Sequence, residues 1–302
     1  MSSPRRSTSR IGVNESTHER ESVFHDEWAA SVDLKTLPVR EAFEAPTALE
    51  NRFILRRMGD LRGKRLLDIG CGLGESSVFF ALQGARVTAT DLSPGMVATA
   101  VRLGRLHGVD VEGVVAPGED LAVQSGYYDL VYAANTLHHV TDREKLLQQI
   151  RRALKPGGAV FLWDPLAYNP VINVYRRMAT QVRTVDEAPL TFKDVALARK
   201  YFPNARHREF WILSLALFLK YYLIDRIHPN QQRYWKLIYK ETPRRLWWWR
   251  PLAAMDAGLS RVALIRRLAW NTVIWGNNPL NTLNADQLSC GLGTAGSKPD
   301  RS

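Results

Sequence analysis

The sequence predicts an α/β fold: a doubly wound, mostly parallel seven-stranded sheet with helices ahead of it and a helical insertion near the C-terminus. Three observations predict it. Short β-type runs alternate with helical segments between residues 65 and 163, the first run ends in a glycine-rich turn, and 302 residues at 45% apolar suffice for one large core.

Taken in order, residues 1–22 are rich in Ser, Thr and Arg and read as a disordered arm. From 23 to 62, Trp28, Val32, Phe43, Leu49, Phe53, Ile54 and Met58 recur near helical spacing, broken by Pro38 and Pro46, which predicts two or three short helices. Strands are expected at 65–69, 86–90, 111–115, 130–133 and 159–163, with helices starting near Gly74, Gly95 and Asp142. Repeated strand, helix, strand units imply parallel pairing with helices on both faces. Further helices are expected at 171–184 and 191–201, and a sixth strand at 206–212 closes a core spanning 63–212. Residues 213–268 form the insertion, 269–280 hold the last strand, centred on 271–276, and 281–302 are a flexible tail.

Composition narrows the partners. The formal charge is +11, which suits nucleic acid, an anionic membrane surface or an acidic small molecule. The two cysteines, Cys71 and Cys290, form no CxxC pair and no Cys/His cluster, so no disulfide framework or bound metal is expected. No apolar run follows the basic residues at the N-terminus, which points away from a secretory leader and towards the cytoplasm. The longest apolar stretch, 210–224, is interrupted by Lys220 and falls short of the roughly 20 residues that span a bilayer.

The glycine-rich turn carries the chemistry. LLDIGCGLGESS places Asp68 at the end of the first strand and Gly70, Gly72 and Gly74 in the loop before a helix, where backbone N–H groups face a crevice. The spacing departs from a dinucleotide fingerprint, with Glu75 standing where its third glycine belongs. An acid there suits a cationic or neutral ligand better than a pyrophosphate. Asp91 closes the second strand, where a carboxylate can accept from ribose hydroxyls, and Glu119 and Asp120 follow the third, within reach of an adenine amino group.

DIGCGLG, TDLSPGM, GEDL, YDLVYAANTLHHV and LKPGG, in this order over residues 64–163, resemble the class I S-adenosylmethionine-dependent methyltransferases, the group that includes ubiquinone and menaquinone biosynthesis methyltransferases. The resemblance implies the Rossmann-like methyltransferase fold and S-adenosyl-L-methionine as cofactor. By that resemblance Asp68, Gly70 and Gly72 contact the methionine part, Gly74 completes the loop, and Asp91 holds the ribose. Leu92 and Met96 would pack near the adenine, Glu119 or Asp120 would bind its amino group, and Asn135 and Leu137 would line the pocket. The bland readings are close helix packing for Gly74, plain core for Met96 and a cap for Asp120.

The segment after strand four narrows the acceptor. AANTLHH lacks the Asn/Asp-Pro-Pro-aromatic signature of methyltransferases acting on base amino groups, which argues against nucleic acid. His139, Asp164 and His25 are the candidate catalytic groups, the last in N-terminal helices that the resemblance places over the donor as a lid. A hydrogen-bonded structural histidine is the alternative for His138 and His139.

Residues 199–280 contain fifteen Lys and Arg against four Asp and Glu, and seven of the nine tryptophans. Arg and Trp interleaved with apolar runs, as in RRLWWWRPL, match an interfacial segment, and a parallel sixth strand would deliver the insertion over the acceptor side. The function expected is therefore methylation of a small lipophilic acceptor (quinone, isoprenoid or lipid-like), peripheral to a membrane. The alternatives are a polar metabolite or natural product as acceptor, a cofactor-binding protein without catalysis, an RNA modifier, and an insertion that packs as core or mediates a homodimer.

Overall fold

The computed structural model describes residues 17–179 and 187–280. Helices α1 (Thr17–Ser31), α2 (Glu41–Glu44) and α3 (Leu49–Met58) precede β1 (Arg65–Ile69), α4 (Glu75–Leu82), β2 (Arg86–Asp91), α5 (Pro94–Leu106), β3 (Val111–Val115) and β4 (Tyr128–Ala134). Then come α6 (Arg143–Ala153), β5 (Leu154–Pro165), α7 (Pro170–Met178), α8 (Phe192–Tyr201) and β6 (Arg206–Phe210). The insertion holds α9 (Ala216–Leu219), α10 (Tyr234–Leu237) and α11 (Trp249–Leu259), and β7 (Asn271–Asn277) comes after it.

The seven strands form one sheet in the order β3-β2-β1-β4-β5-β7-β6. β7 runs antiparallel to both β5 and β6, so β6 points the same way as β1 to β5. The insertion therefore leaves β6 at the carboxyl edge of the sheet, where open α/β folds bind their ligands.

Local chemistry accounts for the helix starts. Ser93 accepts the Met96 N–H with Pro94 at the first helical position of α5, Asp142 accepts from Lys145, and Asn169 caps α7 ahead of Pro170. Alternation along the strands separates two cores. Leu66, Val87, Tyr132 and Phe161 face α3, α4 and the insertion, whereas Leu67, Ile69, Val131 and Leu162 face α6 and α8.

Several boundaries differ from expectation. The arm predicted over 1–22 overlaps α1, which begins at Thr17; the rest of the arm, residues 180–184 of the expected 171–184 helix, and the 281–302 tail lie outside the described residues. β6 stops at Phe210 rather than 212, because Trp211 takes a positive φ of 65° and Asp256 of α11 captures the N–H groups of Ile212, Leu213 and Ser214. The seven tryptophans of residues 199–280 divide. Trp211, Trp249 and Trp270 are buried, Trp235, Trp248 and Trp275 are half-buried, and Trp247 is 75% exposed. Among the described residues no helix is long and apolar enough to cross a membrane.

Candidate active site

A cavity of about 310 Å³ opens at the carboxyl edge of the sheet between the β1–α4 loop, α1, the β4–α6 loop and the insertion. Its floor is the glycine loop. Gly70, Gly72 and Gly74 all have positive φ, but for different reasons. A Cβ on Gly70 would meet Thr136 Oγ1 at 2.4 Å, and one on Gly74 would meet Ala100 Cα at 2.5 Å. A Cβ on Gly72 would point into open space. Of the three, Gly72 therefore borders room for a ligand, while Gly74 serves the close approach of α4 to α5.

Asp91 ties this loop to β2. Its Oδ2 accepts from Gly72 N–H and its Oδ1 from Ser93 N–H, both at 3.0 Å, and burial pushes its pKa up against those bonds. Asp68 lies beneath, accepting from the Ser76 and Ser77 hydroxyls, and burial raises it to about 7. Glu119 Oε1 accepts from the N–H groups of Thr141 and Asp142, with His18 Nε2 3.6 Å away.

Gly70, Gly72, Asp91, Leu92, Glu119, Asn135, His25 and His139 line the cavity. Asp68, Gly74, Met96, Asp120, Leu137 and Asp164 do not. Met96 is fully buried with Ala29 and Leu73, joining α1 to the donor loop, and Leu137 belongs to the core under α6. Asp164, also fully buried, is within 2.7 Å of His138 Nδ1 and accepts from the His138 N–H at 3.2 Å. Burial lifts it to about 7. Asp164 thus acts on His138, which does line the cavity.

α1 covers the opening. Asp26 accepts from Ser93 Oγ and from Gly95 N–H, the latter at 2.8 Å, fastening α1 to the start of α5. On its inner face Glu21 Oε2 lies 3.4 Å from His25 Nε2 and 3.2 Å from His139 Nδ1. Glu21, His25 and His139, and likewise His138, His139 and Glu187, present ligand atoms within 4.8 Å of one another, close enough to share a proton or hold a divalent cation.

The insertion builds the remaining wall. Trp235, Lys236, Ile238 and Tyr239, with Trp270 just after the insertion, line the cavity opposite the glycine loop. Arg233 stacks over the Trp28 ring at 3.8 Å, Trp28 meets Trp235 edge-on at 6.0 Å, and Lys236 pairs with Glu75 at the start of α4. Thr47 Oγ1 donates to Ile238 O at 2.5 Å. Sequence reasoning placed the insertion over this side but found none of these lining residues. Glu21, four residues before His25 on one helix face, carried a readable signal.

The site suits S-adenosylmethionine. It offers open space at Gly72 for a ligand against the loop, the Asp91 carboxylate at the end of β2 for a ribose, and acidic Glu75 and Asp91 for a cationic donor.

Comparison with known proteins agrees. Residues 67–162 match the family described as a methyltransferase domain. Ubiquinone biosynthesis O-methyltransferase of Xanthomonas oryzae pv. oryzae is 45% identical over 108 residues, 34% of this chain and 44% of that protein. The same enzyme of Xanthomonas euvesicatoria is 36% identical over 167 residues, 50% of this chain and 65% of that protein. The chain thus spans about half to two thirds of the length of these relatives. Among solved structures, Haemonchus contortus phosphoethanolamine N-methyltransferase 2, bound to phosphomonomethylethanolamine and S-adenosylhomocysteine, superposes with a TM-score of 0.54 at 21% identity, covering 88% of this chain and 61% of that one. The [4+2]-cyclase SpnF gives the same TM-score at 16% identity, covering 88% and 97%. These two likenesses establish the fold, and a cyclase among them shows that the fold alone does not decide the reaction.

Proposed function

Residues 67–162 form a class I S-adenosylmethionine-dependent methyltransferase domain, and from that premise we propose that the protein methylates a small, lipophilic acceptor of quinone, isoprenoid or lipid-like character. The observation that carries this reading is the aromatic wall of the cavity. Tyr132, Trp163, Tyr175, Trp235, Tyr239 and Trp270 enclose the space beyond the glycine loop. The partial match to ubiquinone O-methyltransferases supports the same acceptor class.

When bound, S-adenosylmethionine supplies a methyl group on a sulfonium, already activated for transfer. The chain's own residues have three tasks. Asp91 and the Gly72 backbone orient the donor, the aromatic wall excludes water and aligns the acceptor, and His138 removes the acceptor's proton. Asp164 holds His138 through Nδ1, so Nε2 is the nitrogen that takes that proton. His139 and His25, joined by Glu21, shape the charge at the mouth.

Access from a membrane surface fits the exterior. Leu223, Ile224, Leu264 and Trp247 are each at least 66% exposed on an insertion that carries most of the protein's excess positive charge. The proposal is a cytoplasmic protein that meets its acceptor at an anionic lipid surface. Incubation with methyl-labelled donor and a lipid extract should give an organic-soluble labelled product. Label entering only a polar extract would point instead to a polar metabolite.

A further inference from the structure

Beyond the donor loop and the histidine and carboxylate groups already described, the cavity holds a further polar feature. Glu50 of α3 and Asn271, the first residue of β7, both line it although 221 positions apart. They are 3% and 2% exposed, and Asn271 Nδ2 donates to Glu50 Oε1 at 2.6 Å. The Tyr132, Asn51 and Trp163 side chains beside them are satisfied. Tyr132 hydroxyl donates to Asn51 Oδ1 at 2.7 Å and accepts from Trp163 Nε1 at 2.9 Å, a closed chain that needs no ligand.

Asn271 Oδ1 differs. It is buried and has no hydrogen-bond partner among the described residues. An amide oxygen withdrawn from water without a partner costs about 1–3 kcal/mol, and native proteins carry few. In a cavity wall such an atom marks the place of a ligand donor.

We propose that Glu50 and Asn271 form a recognition subsite for a hydroxyl group on the methyl acceptor, the hydroxyl donating to Asn271 Oδ1 and accepting from the Glu50 carboxylic acid. A hydroxyl does both at once through a single atom. The inference rests on the acceptor reading under Proposed function and adds the polar group that the acceptor carries.

The electrostatics agree with that geometry. Burial pushes Glu50 up to about 7, so its acid form is present near neutrality. The groups around it are Asn271 from β7, Trp211 after β6, Tyr132 from β4 and Tyr239 from the insertion, none of them a cation that would hold it ionised. A ligand with only an acceptor would leave Asn271 Oδ1 unmet, and a hydrocarbon would leave both groups unmet.

The test compares 2-naphthol with 2-methylnaphthalene, which replaces the hydroxyl by a methyl of similar size, and with 2-naphthylmethylammonium. Each is titrated calorimetrically into the full-length protein saturated with S-adenosylhomocysteine. Naphthol should bind at least about tenfold more tightly than the methyl analogue. Asn271→Ala should erase most of that difference, while Glu50→Gln, which keeps a donor, should preserve it. Equal binding of naphthol and its methyl analogue by the wild type would overturn the proposal, as would tighter binding of the ammonium. Failure of naphthol to bind while S-adenosylhomocysteine still binds would also overturn it, and leave labelled transfer to the lipid extract to decide the broader function. The wild-type comparison stands even if a variant fails to fold.

Discussion

Asp91 Oδ2 accepts the Gly72 N–H at 3.0 Å, so the carboxylate at the end of β2 also fixes the loop that leaves β1. The same residue lines the cavity, so in the proposed site one carboxylate both shapes the loop and holds the donor.

Asp91→Ala should accordingly weaken S-adenosylhomocysteine binding by tenfold or more, since charge-assisted hydrogen bonds are each worth about 1.5–3 kcal/mol. Asp91→Asn retains one oxygen acceptor and should fall between the two. Calorimetric titration of folded variants gives the order, and an unchanged affinity in Asp91→Ala would remove Asp91 from the site.

Two glycines of one motif should respond differently. Gly74→Ala puts a Cβ 2.5 Å from Ala100 Cα and should lower the melting temperature. At Gly72 an added Cβ meets no protein atom, so Gly72→Val carries a left-handed strain of about 1–2 kcal/mol and should chiefly abolish donor binding. Thermal melting beside titration separates the two effects.

His138→Ala should reduce methyl transfer by about a hundredfold or more while leaving S-adenosylhomocysteine affinity within about threefold. Asp164→Asn replaces the carboxyl group that holds His138 Nδ1 and should lower turnover in the same direction. A His138→Ala protein of full activity would exclude His138 as the base.

Burial raises Glu50, Asp68 and Asp164 to about 7, and proton uptake sets the sign of the consequence. The folded protein holds more protons than the unfolded chain between about pH 4 and 7, so each group's contribution to stability falls as pH rises through that window. The slope is up to about 1.4 kcal/mol per pH unit per group. The donor-free protein should melt lower at pH 8 than at pH 5, and Glu50→Gln should gain on the wild type as pH rises. A Glu50→Gln difference independent of pH would contradict a neutral Glu50 in the folded state.

The glycine loop and the strand end beside it were legible because these parts lie close in sequence and each has a distinct backbone requirement. Gly70, Gly72, Gly74 and Asp91 fall within 22 residues, and their type and spacing expose the turn and the strand ends. The far wall was not legible. Glu50 looks like the solvent face of a short helix until Asn271 is brought beside it, and Trp235 and Tyr239 sit in turns too short to carry a period. The sequence reading named His139 rather than its neighbour His138, because nothing in the sequence shows that Asp164 touches His138. The end of β6 was missed for a similar reason, since the carboxylate that stops it lies more than forty residues later at Asp256.

Trp247, Trp248 and Trp249 are consecutive yet should behave unlike one another. Trp249 is buried and donates from Nε1 to Ser214 O at 2.8 Å, so Trp249→Ala should cost about 3–5 kcal/mol. Trp247→Ala should leave the melting temperature unchanged and reduce sedimentation with anionic vesicles at high salt, where the aromatic contribution remains. Equal vesicle binding by wild type and Trp247→Ala would remove Trp247 from the lipid surface.

The central claim is that a methyl group passes from S-adenosylmethionine to a lipophilic acceptor in the cavity walled by the insertion. Its most direct test supplies the intact protein with methyl-labelled donor and with lipid and polar extracts together, then partitions the products. Label should appear in the organic phase, depend on His138, and fall when Trp235 is replaced by alanine without loss of S-adenosylhomocysteine binding. Label confined to the aqueous phase, or organic label indifferent to both residues, would contradict the account.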